Sequence, residues 1–190
     1  MKDEKKIYKS SLNGIALDRS TRSEGDNLIR IAGYAAHFGV VNGNGEIVTE
    51  SSFKAFFEAL QEGGQMPMLT YNHNSDLLIG GWDKITADEK GLYAEGHINA
   101  DVALVRDTIL PLMESGDLNG LSTEGFYDWN TASVNDDGSI NIADYALLAV
   151  SLVALPADFA AKVESRNALT LERQTKSENK TEEDNTHLFI

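Results

Sequence analysis

Apolar positions along this chain recur mostly with a period of two, in short runs separated by turn residues. LIRIAGYAAHFGVV after Asn27 is rich in Ile, Val and Tyr, and runs into Asn42-Gly43-Asn44-Gly45 and then Glu46-Ile47-Val48. That pattern predicts a strand, a tight turn and a hairpin partner. Met66–Tyr71, Leu77–Trp82, Leu92–Ile98 and Leu118–Trp129 predict further strands, and Leu92–Ile98 alternates cleanly. Val134–Ser139 reads as a hairpin loop. Tyr145–Leu155 is nearly all apolar, the mark of a strand buried on both faces.

Two stretches carry helical spacing instead. Phe53, Phe56, Phe57 and Leu60 fall on one face of a helix, with Ser51 or Ser52 to cap it and Gly63-Gly64 to stop it. Val102, Val105, Ile109 and Leu112 mark a second helix over 101–114, with Pro111 set to kink or close its last turn. A short helix is expected from Asp158 to Ser165, after Pro156. About seven strands with two or three helices give a mainly β fold with flanking helices (α+β), a closed or partly closed β-barrel. The expected organisation is a flexible segment over 1–26, one domain over 27–165 and a disordered polar tail over 166–190.

Composition adds exclusions. The chain has 190 residues, 42% apolar and 24% charged, enough for one domain with a core. No cysteine is present, so disulfides, thiolate zinc sites and cysteine nucleophiles are excluded. The formal charge of −14 disfavours nucleic acid and anionic membranes as partners. No apolar run approaches a membrane span, and the opening MKDEKKIYKSS predicts no secretory signal.

The candidate chemistry is sparse. His187 falls in the tail, and His37 and His97 lie inside strand patterns, where a surface or satisfied core histidine is the usual outcome. His73 ends a strand within Asn72-His73-Asn74-Ser75-Asp76, a polar cluster between two apolar strands; rigid scaffolds present reactive groups at such points. Ser122 stands in NGLSTEGF between Gly120 and Gly125, where small neighbours would let a substrate backbone approach. An exposed strand serine fits that spacing equally well. A serine nucleophile needs a base, and the base an orienting group. Ser133-x-Asn135-x-Asp137-Gly138, followed by Asp144, loosely echoes a calcium loop. It lacks the first aspartate and lies between strands, so a hairpin is the better reading. Gly43-x-Gly45 has no following helix to make it a phosphate cradle. No metal or organic cofactor is predicted.

Taken in order, IAGYAAHFGVVNGNGEIV, SSFKAFFEAL, MPMLTYNHNSDLLIGGWDKITADEKGLYAEGHIN, GDLNGLSTEGFY and LLAVSLVALPADFAAKV resemble the prohead protease family of tailed phages, related in fold to the herpesvirus maturation protease assemblin. The resemblance spans roughly Ile29 to Val163. It implies an assemblin-like barrel, His73 as general base and Ser122 as nucleophile. It further implies action inside the procapsid in the host cytoplasm. The expected substrates are scaffold or a capsid-protein extension and, through the tail, the chain itself; a homodimer is also implied. Many relatives carry an acid in a block like LLEVSLV, where this chain has Ala149. Asp144, Asp76, Glu124 or His97 could orient His73 instead. Alternatively a Ser-His dyad works alone, or the chain is a catalytically silent, structural or scaffolding relative. A small-ligand barrel would require a large apolar cavity.

Overall fold

The computed structural model describes the backbone at 7–13 and 16–18, and residues 27–155 with their side chains. The expected helix at 158–165 and the tail at 166–190 lie outside the described residues. Within this range the strands are β1 (Ile7–Asn13), β2 (Ala16–Asp18), β3 (Leu28–His37), β4 (Glu46–Ile47), β5 (Met68–Tyr71), β6 (Asn74–Ala87), β7 (Gly91–Asn99), β8 (Gly120–Tyr127), β9 (Ser133–Val134), β10 (Ile140–Asn141) and β11 (Tyr145–Val153). Eight of them form one sheet in the order β1-β8-β11-β5-β6-β7-β3-β2, antiparallel throughout except at β11/β5. The sheet curls into a half-barrel, and β1 comes to lie beside β3 as well as β8. Ile31, Leu69, Ile79, Leu92, Ile98, Leu121 and Leu152 fill its concave side and are fully buried. A mainly β half-barrel with helices outside is the predicted architecture. That filling argues against the ligand-barrel reading.

Five local features differ from the sequence-based expectation. First, β1 and β2 are strands within the segment expected to be flexible. IYKSSLN is half polar and shows no strict alternation, and its pairing along β8 supplies the order that its own pattern does not. Second, β4 does not form a hairpin with β3 but pairs in parallel with β10, in a small sheet β4-β10-β9. Asn42 Oδ1 accepts the amides of Asn44 (2.8 Å) and Glu46 (3.0 Å); this side-chain turn folds the loop on itself and sends Glu46 inward.

Third, the first helix opens with a 3-10 turn over Glu50–Phe53, followed by α1 (Lys54–Gln61). Thr49 takes the N-cap position, its amide donating to Ser52 Oγ at 2.9 Å. Fourth, the second helix is π-helical over Val105–Ile109 before α2 (Leu110–Ser115). Pro111 lies in the first turn of α2. Its missing N–H and its ring prevent an ordinary bond to the carbonyl four residues back, and the Leu110 amide bonds to Val105 instead. Fifth, within β11, Tyr145–Leu148 alternates between buried and exposed, and both faces are buried only from Ala149 onward.

Candidate active site

The hairpin from β5 to β6 turns on two residues, Asn72 (φ 51°) and His73 (φ 59°), with Tyr71 and Asn74 paired across it. These are the only non-glycine residues with positive φ among the described residues. Two successive left-handed residues make the tight hairpin turn for which Asn-Gly is the favoured sequence. Asn72 suits the first position; histidine at the second carries strain that glycine would not. The Asn72 amide donates to Leu152 O at 3.0 Å, tying the turn to β11. Backbone strain held by surrounding structure is a common companion of function.

Sheet register then decides what the turn meets. Cross-strand partners share a face, and Ser122 on β8 lies opposite Ser151 on β11, which lies beside Thr70 on β5. Two residues along, Glu124 pairs with Ala149. Between Leu147 and Ala149 the register shifts by one residue at a bulge. A one-residue shift turns every following side chain to the other face, so the bulge places Ala149 and Ser151 on the convex face with Ser122 and Glu124. The Glu124 side chain reaches His73, with Oε2 3.3 Å from Nδ1, and both side chains are mostly buried. A carboxylate at Nδ1 leaves Nε2 as the ring nitrogen available to a nucleophile. Ser122 is 2% exposed, yet its neighbours on this face, Ser151, Thr70 and Glu124, are polar.

The remaining candidates lie elsewhere. His97 on β7 is four strands from β8, and its Nδ1 stands 3.1 Å from both carboxylate oxygens of Asp83. Asp144 precedes β11 at the end away from Ser151 and is exposed, on the order of 20 Å away along a strand of seven residues. Asp76 is exposed on β6, its amide donating to Asn74 Oδ1 at 3.0 Å. His37 stacks on Tyr34 with ring centroids 5.6 Å apart. His187 lies outside the described residues. The calcium-loop echo resolves into the β9–β10 hairpin, where Asp137 accepts from the Ser139 amide and hydroxyl. No group of three potential metal ligands occurs among the described residues.

One sequence reading needs correction. Gly125 does not keep space open for substrate: a Cβ there would stand 2.2 Å from Ala146 O and 2.7 Å from the Tyr145 ring, so close packing of β11 on β8 requires it. Behind the site, on the concave side, Glu46 is buried near Tyr127 and Tyr145. Burial first, then the Glu46 charge, push both phenols well above their ordinary value; the Thr123 hydroxyl partly opposes this at Tyr145. Sequence reasoning passed over Thr70 and Ser151, whose only signal is a hydroxyl inside an apolar strand.

The fold is that of a phage capsid assembly protease: the enzyme of bacteriophage T4 superposes with a TM-score of 0.64 at 14% identity, over 80% of this chain and 99% of that one. The protease of varicella-zoster virus superposes more loosely, with a TM-score of 0.39 at 17% identity over 69% of this chain and 60% of that one. The chain belongs to the caudovirus prohead serine protease family, whose model matches residues 16–177. The prohead protease of Enterobacteria phage HK97 is 28% identical over 127 residues, 66% of this chain. The chain spans about half of that relative's length, 55%. No helix among the described residues is long and apolar enough to cross a membrane.

Proposed function

We propose that this chain is a serine endopeptidase of capsid maturation in which Ser122 is the nucleophile, His73 the general base and Glu124 the group that orients it. The observation that carries this reading is the 3.3 Å approach of Glu124 Oε2 to His73 Nδ1 on the strand face that also bears Ser122. Glu124 and Ser122 are two residues apart, about 7 Å along a strand, a gap that an imidazole can bridge. At 3.3 Å the carboxylate approaches the ring nitrogen without the alignment of a hydrogen bond, and catalytic hydrogen bonds often align only once substrate is bound.

In this reading His73 Nε2 takes the proton of Ser122 as Oγ attacks the peptide carbonyl. The imidazolium, stabilised by Glu124, then protonates the leaving amine. Water, deprotonated by the same imidazole, hydrolyses the acyl-enzyme. The substrates are polypeptides enclosed in the procapsid: scaffold, a capsid-protein extension and the chain's own tail.

At 2% exposure Ser122 is not open to an incoming carbonyl. β1 pairs along the β8 edge with Ser11 opposite Ser122, and is the element whose displacement would free that edge for an extended substrate.

A second reading, a silent scaffolding relative, is favoured by Ala149 at the position of the family's acid. Fluorophosphonate labelling and mass spectrometry separate the two. Wild-type protein should label at Ser122 and lose residues after about Ser165, and Ser122→Ala should do neither. An unlabelled, uncleaved wild type would leave the scaffolding reading standing.

A further inference from the structure

Three hydroxyls lie in one row across three strands of the convex face: Thr70 on β5, Ser151 on β11 and Ser122 on β8. Thr70 Oγ1 and Ser151 Oγ are 2.6 Å apart, and the two residues are 1% and 0% exposed. A dry pair of hydroxyls in the middle of an otherwise apolar strand, AVSLV, is costly to fold unless its hydrogen-bonding capacity is used. Two hydroxyls carry two donor protons, and one bond between them uses one. The other has to go to a neighbouring acceptor. Ser122, directly opposite Ser151, has its Cβ about 5 Å away in such a pair, within reach of a hydrogen bond between the two oxygens after rotation about χ1.

We propose that Ser151, held by Thr70, is a positioning residue for the nucleophile, donating its hydroxyl proton to Ser122 Oγ. The donor order then runs Thr70 to Ser151 to Ser122. Ser122 accepts on one lone pair, so its rotamer is fixed and its own proton is left for His73. As the Ser122 proton moves to the base and the Oγ–carbonyl bond forms, the Ser151 hydroxyl stays protonated; it orients and consumes nothing. The inference rests on the proposed role of Ser122, and the experiment is arranged so that the two can fail separately.

The probe is a fluorophosphonate, with the saturating labelling rate and the half-saturating concentration measured for full-length Ser151→Ala, Thr70→Val and Ser151→Thr. Loss of orientation lowers the saturating rate, by up to about 100-fold for a misplacement near 1 Å, without moving the half-saturating concentration or the midpoint of the pH profile. Ser151→Ala should show the larger loss, and Thr70→Val a smaller one because Ser151 keeps its donor. Ser151→Thr, which retains a hydroxyl, should recover most of the rate. The double variant should be no slower than Ser151→Ala, since the two act as one unit. Unchanged labelling in soluble Thr70→Val and Ser151→Ala would overturn the proposal. So would a rate falling only in step with melting temperature, or Ser151→Thr no better than Ser151→Ala. Wild type that does not label, or Ser122→Ala that labels equally, would overturn the nucleophile assignment and this inference with it.

Discussion

Replacing His73 by glycine and, separately, by alanine tests whether the imidazole is held at the expense of the turn. Both substitutions remove the ring and its contact with Glu124, so they differ only in a methyl group. At an ordinary strand position alanine is the more stable of the two by roughly 0.5–1 kcal/mol. At φ 59° the order should reverse. A Cβ in the left-handed region costs about 1–2 kcal/mol, while alanine recovers about 0.4–1 kcal/mol through its stiffer unfolded chain. The balance leaves glycine ahead by about 1 kcal/mol, or about 2–4 °C in melting temperature for a chain of this size. Urea denaturation followed by circular dichroism gives the difference directly, provided both variants show the same slope. Neither variant should label with a fluorophosphonate. If alanine matched or exceeded glycine, the turn would not be left-handed at position 73 in solution, and strain could not be part of how the histidine is presented.

Four further outcomes follow from the structure. Glu124→Gln should slow acylation by several powers of ten, as loss of an orienting carboxylate does in triads. Ala149→Glu alone should gain nothing, because it sets two carboxylates directly opposite each other, whereas Glu124→Ala with Ala149→Glu should recover part of the rate. Removal of residues 1–13 should increase the labelling rate of Ser122 if β1 covers the β8 edge; an unchanged rate in a folded protein would mean that substrate enters elsewhere. Tyr34→Phe should raise the Asp88 pKa measured by carboxyl NMR. The Tyr34 hydroxyl (2.6 Å), then the amides of Gly91 and Lys90, hold that carboxyl below the ordinary aspartate range. Its stabilising contribution is therefore present above the ordinary aspartate range and fades as pH falls through the lowered pKa, so the variant should show less of that acid-side loss.

β3 and β7 were legible because each buries chiefly one face, so alternation marks them in the sequence. β1 was not, since its order comes from pairing along β8 rather than from an apolar face of its own. The π-helical stretch escaped because Pro111 acts on the turn before it, widening the helix instead of ending it. In the site, His73 showed itself as a polar residue between two apolar strands. Glu124 was one of four acidic or basic candidates with no local feature to rank it. Its proximity to His73 depends on the β8–β11 register and on a bulge at Leu148, which are tertiary facts. Ser151 and Thr70 gave no sign at all, because a lone hydroxyl in an apolar strand is commonplace until its neighbour is known.

Ala149 takes on a different meaning once the register is fixed. β11 lies between β8 and β5, so a carboxylate on Glu124 reaches the turn after β5 across the β11 residues of this face: Ala149, directly opposite Glu124, and Ser151, the next toward the turn. At Ala149 a methyl group leaves room beside the stem of Glu124, where a longer side chain would crowd it. On the proposed reading, the acid expected at 149 and the acid at 124 are alternatives on one face: two cross-strand neighbours, either able to supply the charge where the other stays small. Ala149→Leu separates this account from simple loss of an acid. It adds no charge and sits on a strand that accepts branched side chains. By crowding the Glu124 side chain from the position opposite it, it should slow Ser122 labelling nearly as much as Glu124→Gln does. If Ala149→Leu labelled at the wild-type rate, Glu124 would not be working across β11, and the Ser-His dyad would have to act without it.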